Sequence, residues 1–331
     1  MREGFTYTRR EFLKKAGLAG GAMVMANVAG GIPSAAAAME EEKGAADELL
    51  KGVCDIHIHA APDVKGRCIN EFDFACKAKD LGYRAVMYKS NEWSCHDRAY
   101  LIRQALPDFE VFGSFCMNYA VGDKINVHAA KMAVETTGHC CKCIWMPTMA
   151  AVYPNAVEGR AGQGIPVVQD GKVLPEVVQV MEICADHDII FATGHSSPQE
   201  SLLMAAKAKE VGVHKFVVTH VNSLIWRMTA DDIKRCVDLG AYIELCYLPR
   251  VWGAGTAMSQ YERESARDFM NYVSVAPERS FISTDMGQAN MPDPSEGMRA
   301  CIGELLDGGV SQRVVDTLVR RNPAYLLGLE G

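Results

Sequence analysis

The sequence has no excess of basic residues: 34 Lys and Arg stand against 41 Asp and Glu, a net charge of -7. That excludes a nucleic-acid scaffold, which needs a cationic surface to meet phosphates. No Gly-x-Gly-x-x-Gly run follows a strand and opens a helix, so a dinucleotide-binding fold lacks its phosphate turn. There is no internal repeat. Past the first 40 residues there is no low-complexity tract and no apolar stretch long enough to span a membrane. The 12 cysteines are irregularly spread, and no disulfide framework is written into them. What is present, 49% hydrophobic and 23% charged residues over 331 positions, suits one large folded domain.

The first 38 residues are of another kind. Thr8-Arg9-Arg10-Glu11-Phe12-Leu13-Lys14 precedes a Gly/Ala-rich apolar run from Ala16 to Gly31, then Pro33-Ser34 and four alanines. Basic region, weakly apolar core and small-residue cleavage site together describe an export signal, and the arginine pair resembles a twin-arginine signal. The expectation is an exported, periplasmic protein handled by the twin-arginine machinery. Cleavage there removes five basic and two acidic residues and takes the net charge to -10. That route carries proteins folded before export, which need not use their cysteines as disulfides. Residues 39–51 read as a solvated lead-in, and 52–331 as the working domain.

From Val53 onward short β-rich runs alternate with amphipathic helical stretches. Strands are expected near 53–59, 84–89, 109–116, 142–147, 188–194, 215–220, 240–246 and 280–285. Helices are expected near 71–81, 96–106, 124–137, 174–187, 198–211, 229–239, 260–274 and 295–307. Eight strand–helix pairs make an α/β chain whose natural closure is a (β/α)₈ TIM barrel in a single domain. Runs such as Ile189-Ile190-Phe191 and Phe216-Val217-Val218 are apolar throughout, as strands buried on both faces must be. One long loop, Thr148 to Val173, follows the fourth strand; it ends in a hairpin turning at Asp170-Gly171 and reads as a lid.

The chemistry gathers at strand ends. In Asp55-Ile56-His57-Ile58-His59 the two histidines share a face, about 6–7 Å apart along the strand, where two imidazoles can hold one cation. Thr193-Gly194-His195, Val218-Thr219-His220 and Ser283-Thr284-Asp285 each finish an apolar strand with a residue that binds metal or moves protons. In a barrel all four ends meet at one mouth.

That order, His-x-His on the first strand, His on the fifth and sixth and Asp on the eighth, resembles the amidohydrolase superfamily. The tail Arg321-Asn322-Pro323-Ala324-Tyr325-Leu326-Leu327-Gly328-Leu329 is similar to the closing helix of those enzymes, and the resemblance spans the mature chain. Within it, the chain is similar to an uncharacterised amidohydrolase-like family. The resemblance implies a divalent metal, Zn²⁺ first, held by His57, His59, His195, His220 and Asp285. One ion is favoured, with two as the alternative. It implies hydrolysis of a small-molecule ester, amide or lactone-like bond by metal-activated water. Asp285 acts as general base, and His220 completes the metal shell or polarises the carbonyl.

One departure matters. Binuclear members carry a bridging Lys or Glu at the end of the fourth strand, but here that strand ends Trp145-Met146-Pro147-Thr148. Lys89, at the end of the second strand, is open to reading as an unusual ligand, a binder of a substrate carboxylate, an active-site acid or plain surface charge; the favoured reading is a substrate-facing cation that helps stabilise the oxyanion. Because relatives with one metal include decarboxylases, a lyase is the first alternative; a periplasmic binding protein without turnover is the second.

Glu244, inside the seventh strand, either orients a ligand histidine, meets Lys89, or faces helices and solvent. Tyr247 and Arg250, with Trp252, Trp93 and Arg67, are pocket candidates by position alone. His139-Cys140-Cys141-Lys142-Cys143 is read as structural, with a second metal site as the alternative. His96, His128, His187 and His214 are expected in solvent. The oligomeric state is not written in the sequence.

Overall fold

The computed structural model describes residues 48–157 and 159–329; the expected signal and residues 39–47 of the lead-in lie outside them. Eight parallel strands follow one another in chain order: β1 (Cys54–Ile58), β2 (Ala85–Tyr88), β3 (Glu110–Cys116), β4 (Cys141–Trp145), β5 (Ile190–Ala192), β6 (Phe216–Val218), β7 (Tyr242–Cys246) and β8 (Ser280–Ser283). The major helices between them are α1 (Glu71–Asp80), α2 (His96–Ala105), α3 (Val127–Glu135), α4 (Pro175–Asp186), α5 (Pro198–Val211), α6 (Ala230–Asp238), α7 (Ala266–Val275) and α8 (Pro294–Asp307). This is the expected (β/α)₈ barrel. The helices start where local chemistry starts them. Ser197 and Glu200 form a reciprocal cap on α5, Asp293 and Glu296 another on α8, and Thr229 accepts from Asp232 N on α6.

The sheet meets itself between β8 and β1. Asp285 N donates to His57 O at 2.9 Å and His59 N to Met286 O at 2.8 Å. Buried Asp55 adds a side-chain tie, accepting from Thr284 N at 3.1 Å and Thr284 Oγ1 at 2.6 Å. Burial, against those hydrogen bonds, pushes its carboxyl up to about 7. Gly287 is what lets the strands approach: a Cβ built there would collide with the His59 carbonyl, and its φ of +125° is one that other residues rarely adopt.

Two apolar layers result. One lies between barrel and helices; the other fills the barrel with residues such as Met87, Phe112, Trp145, Val217 and Phe281. Ala324, Leu326 and Leu327 of the closing helix (Asn322–Leu327) join this inner layer. Cys54 and Ile56 also belong to it, although His57 and His59 face the same interior. A bulge reconciles the two: β1 pairs Asp55 with Val86 but Ile58 with Tyr88, so three steps on one strand match two on the other. The extra residue shifts the phase of β1 between Ile56 and His57.

Three strands stop short of the expected ends, and the reason is conformational. Gly194, His220 and Asp285 have φ of +61°, +59° and +54°. The chain leaves β geometry there, so these strands end at Ala192, Val218 and Ser283. The lead-in also differs from expectation: Leu50 is fully buried in the core, and Arg320 donates to Leu49 O and Lys51 O. The loop after β4 does contain the expected hairpin, Val168–Gln169 against Lys172–Val173, turning through Asp170 and Gly171 at positive φ. Among the described residues, no helix is long and apolar enough to cross a membrane.

Gly287→Ala should destabilise the fold by about 4 kcal/mol or more, because both backbone conformation and space at the seam forbid a side chain. Thermal denaturation checks this; a wild-type midpoint would show that the β8–β1 approach is not a constraint.

Candidate metal centre

The strand ends bring His57, His59, His195, His220 and Asp285 to one place. Ring centroids of His57 lie 5.3 Å from both His59 and His220, and His195 lies 5.0 Å from His220. Asp285 sits among them, with Oδ1 3.1 Å from His57 Nε2 and 3.1 Å from His59 Nε2, and Oδ2 3.8 Å from His220 Nδ1. Left-handed backbone at His220 and Asp285 is strained for residues with a side chain. Here it swings both groups off the strand line and over the mouth.

Glu244 is fully buried beneath this cluster. Its Oε1 accepts from His57 Nδ1 at 2.9 Å and from Ser283 Oγ at 2.8 Å. That selects one of the three sequence readings: Glu244 orients a histidine, and it meets neither Lys89 nor solvent. With Nδ1 donating, Nε2 of His57 faces Asp285, 3.1 Å away without a directed hydrogen bond, and is the atom left to take a proton or a cation. Burial opposes a charge on His57, yet Glu244 and Asp285 hold its pKa above the ordinary value. The pocket therefore favours one positive charge at this nitrogen, from a proton or a cation.

The other imidazoles are held neutral, as metal ligands must be. Burial, helped by Lys89 and Arg67, pushes His59 down to about 3 against the Asp285 contact. Burial pushes His220 down to about 4, and burial with His220 and Lys89 nearby takes His195 well below its usual value. Burial also resists ionisation of Asp285, but His57, His59 and His220 hold its carboxyl far below the usual range. Ligand atoms of His57, His59 and Asp285 all lie within 4.8 Å of one another, as do those of His57, His220 and Cys246. Nitrogen and carboxylate donors at such spacing fit a Zn²⁺-type ion.

The fit of His59 has a condition. Arg67 Nη2 lies 3.1 Å from its Nδ1 and 2.7 Å from Asp63 Oδ2. A guanidinium only donates, so Nδ1 accepts and Nε2 carries the proton toward Asp285. For Nε2 to bind a cation, the Arg67 contact must yield.

A cavity of about 350 Å³ opens over the cluster, lined by His59, His195, His220, Asp285, Lys89 and Arg67, with Trp226, Trp252 and Tyr261 among its walls. The loop after β7 supplies Trp252, Ala257, Met258, Gln260 and Tyr261, whereas among the described residues of the long loop after β4 only Met149 lines it. The expected lid is thus mostly a different loop. A larger groove of about 470 Å³ between α6 and α7 gathers no comparable chemistry.

Several candidates lie elsewhere. Tyr247 Oη and Arg250 both bond the Glu304 carboxylate on α8 and do not line the cavity; they brace β7 against α8. Trp93 is 53% exposed and apart from the cavity. His139 Nδ1 bonds Val134 O, Cys140 and Cys141 thiols donate to backbone carbonyls, and among the described residues no metal-competent trio includes this stretch. His96 is buried rather than solvated, beside Gly113, where any side chain would strike the α2 backbone.

Sequence reasoning missed Cys246, whose Sγ lies 3.1 Å from His220 Nδ1. The signal was available: Cys246 is two residues beyond Glu244 on one strand and so shares its face. Trp145, 4.8 Å from His57, and Trp226, stacked on His220, were also unassigned.

Residues 52–244 match the model of a family of unknown function (DUF6282), which is more than half of the sequence. The chain belongs to this family. No curated protein matches it in sequence. Solved structures share the family member's fold. An amidohydrolase from Pseudomonas aeruginosa has 13% identity and a TM-score of 0.57, with 85% of this chain and 98% of that chain covered. An amidohydrolase (cog3618) from Burkholderia multivorans with bound Zn has 11% identity and a TM-score of 0.56, covering 84% and 99%. A putative 2-pyrone-4,6-dicarboxylic acid hydrolase from Pseudomonas putida has 12% identity and a TM-score of 0.53, covering 85% and 98%.

Two measurements follow from this geometry. Purified protein loaded with Zn²⁺ should hold about one ion per chain by elemental analysis, and a His57→Ala, His59→Ala variant should hold none; equal content in both would remove the centre. The second concerns Glu264, which is fully buried, accepts from Asn222 and is pushed up to about 8 by burial. The folded state then binds its proton more tightly than the unfolded one, so this stability is full below the ordinary carboxylate range and is lost as pH rises through about 8. Glu264→Gln should gain in melting temperature relative to wild type between pH 6 and pH 9; parallel curves would refute the raised value.

Proposed function

We propose that the chain is a metal-dependent hydrolase that cleaves an ester, amide or lactone-like bond in a small molecule. The observation that carries this is Asp285: an ionised carboxylate held 3.1 Å from two imidazole nitrogens at the mouth of a barrel, beneath a cavity. Fold neighbours named as amidohydrolases, and another named from a lactonase template, support the reaction class.

His57, His195, His220 and Asp285 would hold the cation, joined by His59 once Arg67 releases it. The bound ion would supply a Lewis acid and lower the pKa of water at the site. Asp285 takes the proton from the attacking water at a carboxylate oxygen and returns it to the leaving group. Glu244 fixes the ring plane and tautomer of His57. Trp226 and Trp252 exclude bulk water from the reacting carbonyl.

A decarboxylase on the same residues is the second reading, favoured by the end of β4, where buried Trp145 and Met146 give no bridging ligand. The arginine pair at Arg9-Arg10 supports export by the twin-arginine route, with the metal loaded before transport.

The test is a panel of lactones, esters and amides with Zn²⁺-loaded protein, with parallel assay of released CO₂. Hydrolysis is expected. Asp285→Asn should lose about 100- to 10,000-fold in kcat, measured beside its metal content. Evolution of CO₂ without hydrolysis would shift the assignment to the lyase, and metal retention without turnover on any substrate would refute both.

A further inference from the structure

We propose that the substrate carries a carboxylate, and that Lys89 receives it. This rests on the hydrolase reading and narrows its substrate class. Lys89 follows β2, is only 2% exposed, and lines the cavity. Among the described residues no ion pair or hydrogen bond engages its ammonium; the contact it makes is with the Trp145 ring, 5.1 Å from Nζ. A buried charge without a counter-charge is costly, and a ring face offsets part of that cost only.

The neighbouring charges are committed elsewhere. Arg67 is bound to Asp63 and His59. Glu244 is bound to His57 and Ser283, and Asp285 is drawn to the imidazoles. Lys65 adds a further cation at the exposed rim, and the only carboxylate lining the cavity among the described residues is Asp285. With a divalent ion bound, two positive charges from the ion and one from Lys89 face one negative charge each from Asp285 and Glu244. One positive charge remains, and a monoanionic substrate balances it.

The walls describe the rest of the molecule. Trp226 lies nearly parallel to His220, at 24°, and Trp252 is stacked on Tyr261 at 25°. A cavity of about 350 Å³ with flat aromatic sides takes a compact, planar body. The carboxylate then lies toward Lys89 and the scissile carbonyl toward Asp285.

The probes are benzoate and its neutral isostere benzamide, titrated calorimetrically into Zn²⁺-loaded protein. Wild type should bind benzoate at least about tenfold more tightly. Lys89→Met should lose that preference while keeping its metal content, and Lys89→Arg should retain it. Equal binding of the two probes by wild type overturns the proposal whatever the variants do. A preference that survives Lys89→Met in protein with full metal content places the carboxylate on the ion and also overturns it. Kinetics separate the two conclusions. Lys89-dependent benzoate binding without hydrolysis of any substrate sinks the hydrolase reading alone. Hydrolysis that favours neutral over carboxylate-bearing lactones sinks this proposal alone.

Discussion

The site depends on one seam. The hydrogen bonds that join β8 to β1 come from Asp285 N and His59 N and end on His57 O and Met286 O. Three of those four residues belong to the proposed centre. The contact that closes the barrel is therefore also the contact that sets the carboxylate against the two imidazoles. Asp55 and Thr284 reinforce it from below, and Gly287 permits it from above. A chain with the same ligands but an open seam would have the donors without their separation.

Beneath that seam the polar groups form layers. Glu244 holds His57, Ser283 holds Glu244, and Cys246 meets both Ser283 and His220. Asn222 accepts from Cys246 N, donates to Cys246 O, and donates to Glu264. His57, Glu244, Cys246 and Ser283 lie within barrel strands and His220 just after one, so the rings above are oriented by backbone that cannot move independently, while Asn222 and Glu264 carry the network on into the loops. Loops supply the walls of the cavity, and strands supply its chemistry.

The barrel was legible because its evidence is periodic and repeated. Eight apolar runs separated by amphipathic ones leave few alternatives, and strand burial on both faces is as strong in Phe216-Val217-Val218 as anywhere. The five ligand candidates were legible because a polar residue ending an apolar strand is conspicuous. What was hidden is what no period encodes. Tyr247 and Arg250 stand in a loop after a strand, as a pocket residue would, yet Glu304 on α8 draws both away. Trp226 reaches the site from a loop with no pattern of its own. The lid was placed on the longest loop, whereas the shorter segment carrying Trp252 and Tyr261 covers more of the opening. Leu50 was hidden by its charged neighbours.

The bulge in β1 has a meaning for how the strand can change. Upstream of it, Cys54 and Ile56 obey the packing of the inner layer; downstream, His57 and His59 obey the demands of the mouth. The inserted residue uncouples those two obligations, so one strand serves as a core element for half its length and as a ligand holder for the rest. Were the same residues to run without that irregularity, the imidazole pair would turn outward among the surrounding helices, leaving a well-filled cylinder with bare walls at its mouth.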